Sequence, residues 1–261
     1  MNALLRLPGI PPLISTLLLL ALWQLASKVL DYSYLPPPTQ ILPTLPALLA
    51  EPETANHIID SLKRMAAGFA LAVALAVPLG LTMGRSRAVA NFFSPLLAVS
   101  YPIPKSALMP IIMLWFGIGD ASKILVIFLG VSLPLVYHSH AGANAVDEKL
   151  VWSAQAMGMG RMRRLFLIIL PSALPEVMLG CRVGIVMALI VMVSSEMIAR
   201  QSGVGNLLFN SADMAQYDTV YAVIVIISVI GFVADAAFEM IRRRLTFWSE
   251  SRASSDIWVP S

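Results

Sequence analysis

Long apolar stretches, separated by short polar and proline-containing segments, dominate the chain. An α-helix needs roughly 20 mostly apolar residues to cross the hydrocarbon core of a bilayer, and about six stretches approach that length. The predicted spans cover residues 13–30, 65–83, 91–116, 122–137, 174–197 and 220–238. The pattern predicts an all-α integral membrane protein with about six membrane-spanning helices.

Prolines interrupt the pattern in two places. The segment LPPPTQILPTLPALLAEPE follows the first span, and its prolines lack the N–H donor and clash with the preceding turn of a helix. We predict an aqueous loop there, holding at most a short helix. Pro102, Pro104 and Pro110 break the third span.

Composition supports a membrane protein. The chain is 58% hydrophobic and 13% charged, with a mean hydropathy of +0.79, and both values are far from those of a soluble domain. Its 18 basic residues are scattered at segment ends, so no nucleic-acid partner is expected. Cys181 is the only cysteine, which excludes an intramolecular disulfide and argues against a metal cluster. No convincing cleavage site follows the first apolar run, so we expect it to be retained as a helix.

The positions of Lys and Arg predict the orientation, because these residues are retained on the cytoplasmic side. With the amino terminus inside, most of them fall on the inner side: Arg6, Arg85, Arg87, Lys149, Arg161, Arg163, Arg164, Arg242, Arg243 and Arg244. Fewer fall at outer ends: Lys28, Lys123 and Arg200. Others lie close to or within spans and are ambiguous: Lys63, Arg64, Lys105 and Arg182. Both termini are therefore predicted to be cytoplasmic.

This topology divides the chain into three parts. Residues 1–64 hold the first span and the proline-rich outer loop. Residues 65–241 form the core, including a cytoplasmic loop at 147–171. Residues 242–261 form a cytoplasmic tail.

The cytoplasmic loop contains the segment WSAQAMGMGRMRRLFLIILPSALP, residues 152–175. Its first part favours helix to about residue 165, Gly158 and Gly160 supply a bend, and Pro171 suits the start of a new helix. Such a short helix could dock into a groove of another protein. It could equally lie on the membrane surface, with its arginines on lipid phosphates.

Six residues of this segment carry a resemblance to a known family. Ser153, Ala154, Gly158, Ile168, Leu170 and Pro171 follow the spacing of the signature "EAA, three residues, G, nine residues, I, one residue, LP" without insertion, with Ser153 in place of its first Ala. That signature is found in bacterial ABC-importer permeases. The resemblance implies a type I ABC importer permease fold, with a coupling helix between spans four and five that docks on an ATPase subunit.

Further blocks resemble the subfamily of nitrate, sulfonate, taurine and thiamine-precursor permeases. These are YLPPPTQIL, SLKRMAAGFALAVALAVPLGLTMGRS, PIPKSALMPIIMLWFGIGDASKI and SSEMIARQSGVGNL. The resemblance implies a pathway in the bacterial inner membrane for a small anionic (sulfonate- or nitrate-like) or heterocyclic solute. It also implies a second permease copy as a homodimer, two ATP-binding subunits that carry ATP and Mg, and an extracytoplasmic solute-binding protein. The chain has no GxxxxGK[ST] loop, so we expect it to bind no cofactor and to hydrolyse no ATP.

Trp152 is the clearest departure from the signature, which has Glu at this position. A carboxylate near a helix start offsets the helix dipole, which Trp cannot do. Asp147 and Glu148 lie just upstream and could take over that role. Trp152 could instead supply apolar area to an interface, so we expect docking to survive.

Two further segments are candidates for the translocation pathway or its gate. The first is the block with Pro102, Pro104 and Pro110, because broken helices often mark transport pathways; a merely kinked packing helix is the alternative. Lys105 in that block could attract an anion or extend to the interface.

The second segment follows span five. Glu196 would lie at an external gate or in interfacial water, with Gly203 and Gly205 forming a flexible turn beside it. Asp120 is predicted to cap span four.

Two functions of other classes are weighed against transport driven by ATP. An ion-coupled carrier acting alone should show several ionisable residues inside its spans, and this chain has few. An intramembrane enzyme would have to use His138 and His140, which have no carboxylate or cysteine nearby in the sequence.

Overall fold

The computed structural model of the chain describes residues 10–249, with side chains from residue 14. Arg6 and residues 250–261 of the predicted tail lie outside the described residues. Every regular element of the described range is helical. The helices are α1 Ile10–Leu30, α2 Pro38–Ala50, α3 Pro52–Arg85, α4 Arg87–Ser100, α5 Met109–Phe116, α6 Asp120–Asn144, α7 Glu148–Ala156, α8 Arg161–Arg164, α9 Leu170–Ala199, α10 Val204–Asp213 and α11 Tyr217–Leu245. A 3-10 turn, Lys105–Leu108, precedes α5, and a π-helical turn, Leu165–Ile169, precedes α9.

The core of the fold is a bundle in which α6 packs between α3 and α9. Small residues bring these helices close together. A Cβ on Gly80 of α3 would lie 2.5 Å from the carbonyl oxygen of Val136, and one on Gly184 of α9 would lie 2.6 Å from Leu135. Close approach of this kind is typical of helix packing inside membranes, where van der Waals contact and not water exclusion drives association.

Four helical segments of the described range are long and apolar enough to cross a membrane. They are Pro52–Arg85, Asp120–Asn144, Arg161–Ala199 and Tyr217–Leu245, and they confirm the second, fourth, fifth and sixth predicted spans. The third predicted span is a broken pair, Arg87–Ser100 and Lys105–Phe116, bent by 84°. The described apolar part of α1, Ile14–Leu30, is shorter than the four clear spans.

The helix α3 is longer than the predicted second span. It begins at Pro52, whose fixed φ suits a first helical position, and continues unbroken to Arg85. Arg64 therefore lies inside a helix, and α3 runs through the predicted boundary between residues 64 and 65. The proline-rich loop contains the short helix α2, with Pro43 and Pro46 inside it.

The α-helix α9 begins at Leu170 with Pro171 in its first turn, as predicted, but it continues a segment that is already helical from Arg161. Pro171 has no N–H to donate and would clash with the carbonyl of Leu167 in a regular α-helix. The π-helical turn Leu165–Ile169 stands just before it, with the N–H of Leu170 bonded to the carbonyl of Leu165. This wider turn accommodates the proline without ending the helix.

Candidate functional sites at the two ends of α3

The predicted short helix of the 147–171 loop is present as α7. It begins at Glu148, and the carboxylate of Asp147 accepts a hydrogen bond from the backbone N–H of Lys149 at 2.9 Å. Trp152 therefore lies in the interior of α7. Capping is done by Asp147, as the sequence suggested, and a Glu at position 152 would not stand at the helix start.

Gly158 ends α7 in a Schellman motif. The N–H of Gly158 bonds to the carbonyl of Gln155 at 2.9 Å, and the N–H of Met159 bonds to that of Ala154 at 3.0 Å. Gly158 has φ +77, a left-handed conformation that glycine adopts without strain. A Cβ built on it meets nothing within 4 Å, so this turn is open to a partner.

The residues of the signature divide between an exposed and a packed group. Trp152 is 63% exposed, and Ser153 and Gly158 are exposed with it, whereas Ala154 is buried. The other signature residues are partly buried where the chain enters α9: Ile168, Leu170 and Pro171. Met157 and Met162, on either side of the turn in sequence, are 75% and 66% exposed, so this segment presents apolar surface.

A salt bridge connects α7 to the near end of α3. The guanidinium of Arg85 lies 2.8 Å from the carboxylate of Glu148. Both side chains are partly accessible, so the pair contributes at most about 1 kcal/mol to stability. It is a contact between α7 and the last residue of α3, while α7 packs mainly against the π-helical turn and α8.

A second group of hydrogen-bonded polar and charged side chains lies towards the opposite end of α3. We call it the Arg64 cluster, and it comprises Ser61, Arg64, Asp120, Glu196 and Ser202. The guanidinium of Arg64 donates to the carboxylates of Asp120 at 2.6 Å and Glu196 at 2.8 Å, and to the carbonyl oxygen and hydroxyl of Ser202. Arg64 is 3% exposed and Glu196 is fully buried.

This cluster corrects two predictions. Glu196 is not an interfacial acid in water, because burial is offset by Arg64, by the hydroxyl of Ser61 and by the N–H of Gly205. Asp120 does not cap α6, since the N-cap is Gly119 and the Asp120 carboxylate bonds to Arg64 instead.

The first turn of α10 rests on the same cluster. Three successive backbone donors, which an isolated helix would leave without partners, bond to side chains of other helices. The N–H of Gly203 donates to His57 at 2.9 Å, that of Val204 to Ser61 at 2.9 Å, and that of Gly205 to Glu196 at 3.1 Å. The predicted flexible turn is therefore held in place. Gly203 has φ +111, and a Cβ there would overlap the carboxyl group of Glu196.

Lys123, which the sequence placed at an outer helix end, is fully buried beside the cluster. Its ammonium donates to the carbonyl of Ser202 at 3.5 Å. The same carbonyl also accepts from Arg64. Two cations therefore converge on the turn between α9 and α10.

The polar residues of the broken third span do not join the Arg64 cluster. Pro102 and Pro104 lie in the bend between α4 and the 3-10 turn, and the Lys105 ammonium donates to the backbone carbonyls of Ser100, the last residue of α4, and Ile103. Lys105 thus satisfies carbonyls at the end of α4.

Pro110, at the start of α5, lines an open apolar depression of about 430 Å³. The depression is lined by Pro110, Met113, Leu114, Gly117, Ile118 and Ile198. The part that these residues play in translocation stays a prediction.

Polar and charged side chains also meet between the spans. His138 lies 2.8 Å from the carboxylate of Glu176, a neighbour that the sequence did not reveal because it is 38 positions away. Arg182 makes a two-pronged contact with Asp235 at 2.8 and 2.9 Å, joining α9 to α11.

Comparison with known families decides the class of protein. Residues 76–247 match the family model described as "Binding-protein-dependent transport system inner membrane component". The chain belongs to this family of permeases. Its fold is also similar to a chain of the inward-facing MetNI methionine ABC transporter, with a TM-score of 0.66 at 15% identity, covering 74% of this permease and 95% of that chain.

Curated relatives agree with this assignment. The permease is 32% identical to the taurine transport system permease protein TauC of Escherichia coli (strain K12), over 88% of this chain and 86% of the relative. It is 31% identical to the putative aliphatic sulfonates transport permease protein SsuC of Bacillus subtilis (strain 168), over 89% and 85%. It is 28% identical to the formylaminopyrimidine transport permease protein ThiX of Halalkalibacterium halodurans, over 94% and 98%. The protein is thus a multi-pass ABC transporter permease of the importer type, as the sequence blocks predicted.

Proposed function

We propose that this permease works as a homodimer, with α7 of each copy docked on one of two ATP-binding subunits that carry ATP and Mg. The observation that supports this proposal most directly is the exposed apolar turn around Trp152, Met157 and Gly158. Apolar and aromatic side chains that are exposed on a single protomer are typical of the centre of a protein–protein interface. A solute-binding protein would deliver solute from the other side.

The charge distribution supports an orientation with α7 in the cytoplasm. The end of the bundle at which α7 lies also holds Arg85, and α11, which runs antiparallel to α9, ends there with Arg242, Arg243 and Arg244. Basic residues concentrate on the cytoplasmic side of membrane proteins. Both termini are then cytoplasmic, and the Arg64 cluster faces the outside.

The distance between the two sites agrees with α3 crossing the bilayer between them. Arg64 and Arg85 are 21 positions apart on one helix, which corresponds to about 31 Å. This is close to the roughly 30 Å thickness of the hydrocarbon core. The apolar stretch between them lies in the bilayer, and the two charged regions lie at its two boundaries.

The mechanism is alternating access. Closure of the ATP-binding subunits would displace the two α7 helices, and the bundles would rotate as rigid bodies to turn a central cavity from the inside to the outside. Such a cycle requires only that ATP and solute-binding protein bind the two states with different affinity.

The solute is proposed to be a small sulfonate-like anion or a small heterocycle. This follows from the relatives, whose names specify taurine, aliphatic sulfonates and formylaminopyrimidine. Lys105, the candidate anion-attracting residue, is bonded to backbone carbonyls. We therefore assign solute selection mainly to the binding protein.

Co-purification tests the docking role of the loop. Gly158→Asp adds a charge where a partner would approach, so we expect it to lose the ATP-binding subunit from the detergent-extracted complex. Gly158→Asn is the matched control, because Asn has a similar size, tolerates φ > 0 and carries no charge. Normal recovery of the ATP-binding subunit with Gly158→Asp would rule out docking at this turn.

A further inference from the structure

We propose that Arg64 is a positioning residue of the transport cycle. With Glu196 it holds α10 on the outer end of α3, so that α10 stays docked and moves with α3, α6 and α9 instead of swinging away as a gate. This inference rests on the function and the orientation proposed above.

Three sequence blocks that are far apart in the chain meet in the Arg64 cluster. The block SLKRMAAGF supplies Ser61 and Arg64, and the block SSEMIARQSGVGNL supplies Glu196, Ser202 and the start of α10. Asp120 comes from the end of the block that contains the broken third span. The cluster therefore connects the outer ends of α3, α6, α9 and α10.

The electrostatics of the cluster favour a docked α10. Glu196 is fully buried, and a buried carboxylate is tolerated only when it is paired and hydrogen-bonded. It lies at the start of α10, where the N–H of Gly205 and the positive end of the helix dipole stabilise its charge. Movement of α10 away from α3 would remove these partners and would also separate Arg64 from both groups of Ser202.

Shape complements charge at this junction. Gly203 leaves room for the Glu196 carboxylate, which stands where a Cβ would be. Val204, the next residue, is fully buried, and its N–H donates to the hydroxyl of Ser61. Successive residues of the turn are thus fixed by α3 and α9 together.

The consequence concerns how movement crosses the membrane. Through the Arg85–Glu148 salt bridge, α3 contacts α7 at its inner end, and through the Arg64 cluster it carries α10 at its outer end. A displacement of α7 would be passed to α10 mainly through the helix Arg161–Ala199, which carries Glu196 and which packs with α6 and α3 in one bundle. Opening on the outer side then occurs by displacement of this whole block relative to its second copy.

Thiol protection tests the proposal in the intact permease. Val204→Cys places a thiol in the buried turn, and Met214→Cys places one on the exposed end of α10. A membrane-impermeant maleimide is added from outside, at rest and during turnover with the ATP-binding subunits, ATP and binding protein. We expect the Met214→Cys thiol to be labelled throughout and the Val204→Cys thiol to stay protected in both conditions.

The role of Arg64 is tested in the same assay. Arg64→Gln removes the cation that is hydrogen-bonded to the buried Glu196, and Lys123 makes no salt bridge to that carboxylate, so labelling of the Val204→Cys thiol should rise by about tenfold or more. Arg64→Lys, which keeps the charge but not the forked geometry, should restore part of the protection. Arg200→Gln is the matched control, because Arg200 lies on the same turn but pairs with Asp213 at the surface, and it should leave the buried thiol protected.

Four outcomes would overturn the proposal. Two of them concern α10 itself: labelling of the Val204→Cys thiol as fast as the Met214→Cys thiol during turnover, and full protection of the Val204→Cys thiol in Arg64→Gln. The third, no labelling of the Met214→Cys thiol from outside, would overturn the orientation on which the proposal rests. The fourth, a rise in Val204→Cys labelling in Arg64→Gln that is matched by labelling of the buried native Cys181, would assign the rise to general unfolding and not to release of α10. If Arg64→Gln is not inserted in the membrane, Ser61→Ala removes the hydroxyl that joins Glu196 to Val204, and the same rise is expected. The comparison at rest needs no ATP-binding subunit, so failure of the proposed coupling would leave this result readable.

Discussion

Replacement of Gly203 by alanine should be among the most damaging single-methyl changes in the permease. Two costs combine at this position. The backbone has φ 111 and ψ 168, a region that only glycine adopts readily. The new Cβ would also overlap the carboxyl carbon and both carboxylate oxygens of Glu196.

The magnitude follows from what holds the carboxylate in place. Backbone strain of this kind costs about 1–3 kcal/mol. Relief of the collision requires Glu196 to move away from the N–H of Gly205, and a hydrogen bond to a charged group is worth about 1.5–3 kcal/mol. We expect Gly203→Ala to destabilise the permease by about 2.5–6 kcal/mol.

Gly117→Ala isolates the steric part of this cost. Gly117 has φ 77 and ψ 173, so it shares the glycine-only backbone region, but a Cβ there meets nothing within 4 Å. Thermal unfolding in detergent, at one heating rate for both variants, should give a midpoint for Gly203→Ala that is lower than that of Gly117→Ala by about 4–8 °C. Equal midpoints would refute the placement of the Glu196 carboxylate against Gly203.

Three further changes test other parts of the account. Asp147→Ala removes the N-cap of α7, which is worth about 1 kcal/mol. Amide hydrogen exchange in α7 should therefore become about fivefold faster while the unfolding midpoint of the permease stays constant, and unchanged exchange would argue against the cap. Trp152→Glu restores the family residue at an exposed position and leaves Met157 and the turn at Gly158 unchanged, so the amount of co-purified ATP-binding subunit should be near normal; a large loss would show that the partner surface has adapted to the indole. Arg182→Leu removes the partner of Asp235, and because both side chains are partly exposed it should cost at most about 1 kcal/mol. Arg182→Leu with Asp235→Leu should recover part of this loss, since Arg182 also lies 3.6 Å from Glu239; additive losses in this double-mutant cycle would exclude coupling.

The helices were predictable because apolar length and proline position are local properties. Four spans, the break at Pro102 and Pro104, and the short helix before Gly158 all follow from short windows of sequence. The Schellman motif also explains why the family signature has glycine at that point, since φ +77 ends the helix at a fixed distance from Ala154.

The Arg64 cluster could not be predicted in the same way. From the sequence alone, a charged residue at the end of an apolar segment looks the same whether its side chain is solvated or pairs with a buried partner. Glu196 is 132 positions from Arg64, and pairing across that separation depends on how α3 and α9 cross. One signal was present: Ser61, Arg64, Glu196 and Gly203 all lie in blocks shared with the subfamily, and such blocks can mark one site assembled in the fold.

Solute uptake with and without the ATP-binding subunit tests the central claim most directly. The permease is expressed with its binding protein, and uptake of labelled taurine, an aliphatic sulfonate and formylaminopyrimidine is measured in cells that contain or lack the ATP-binding subunit. The account predicts that uptake of one of these solutes depends entirely on the ATP-binding subunit. Uptake that continues unchanged without it, and stops when the ion gradient is collapsed, would contradict the account and identify an ion-coupled carrier.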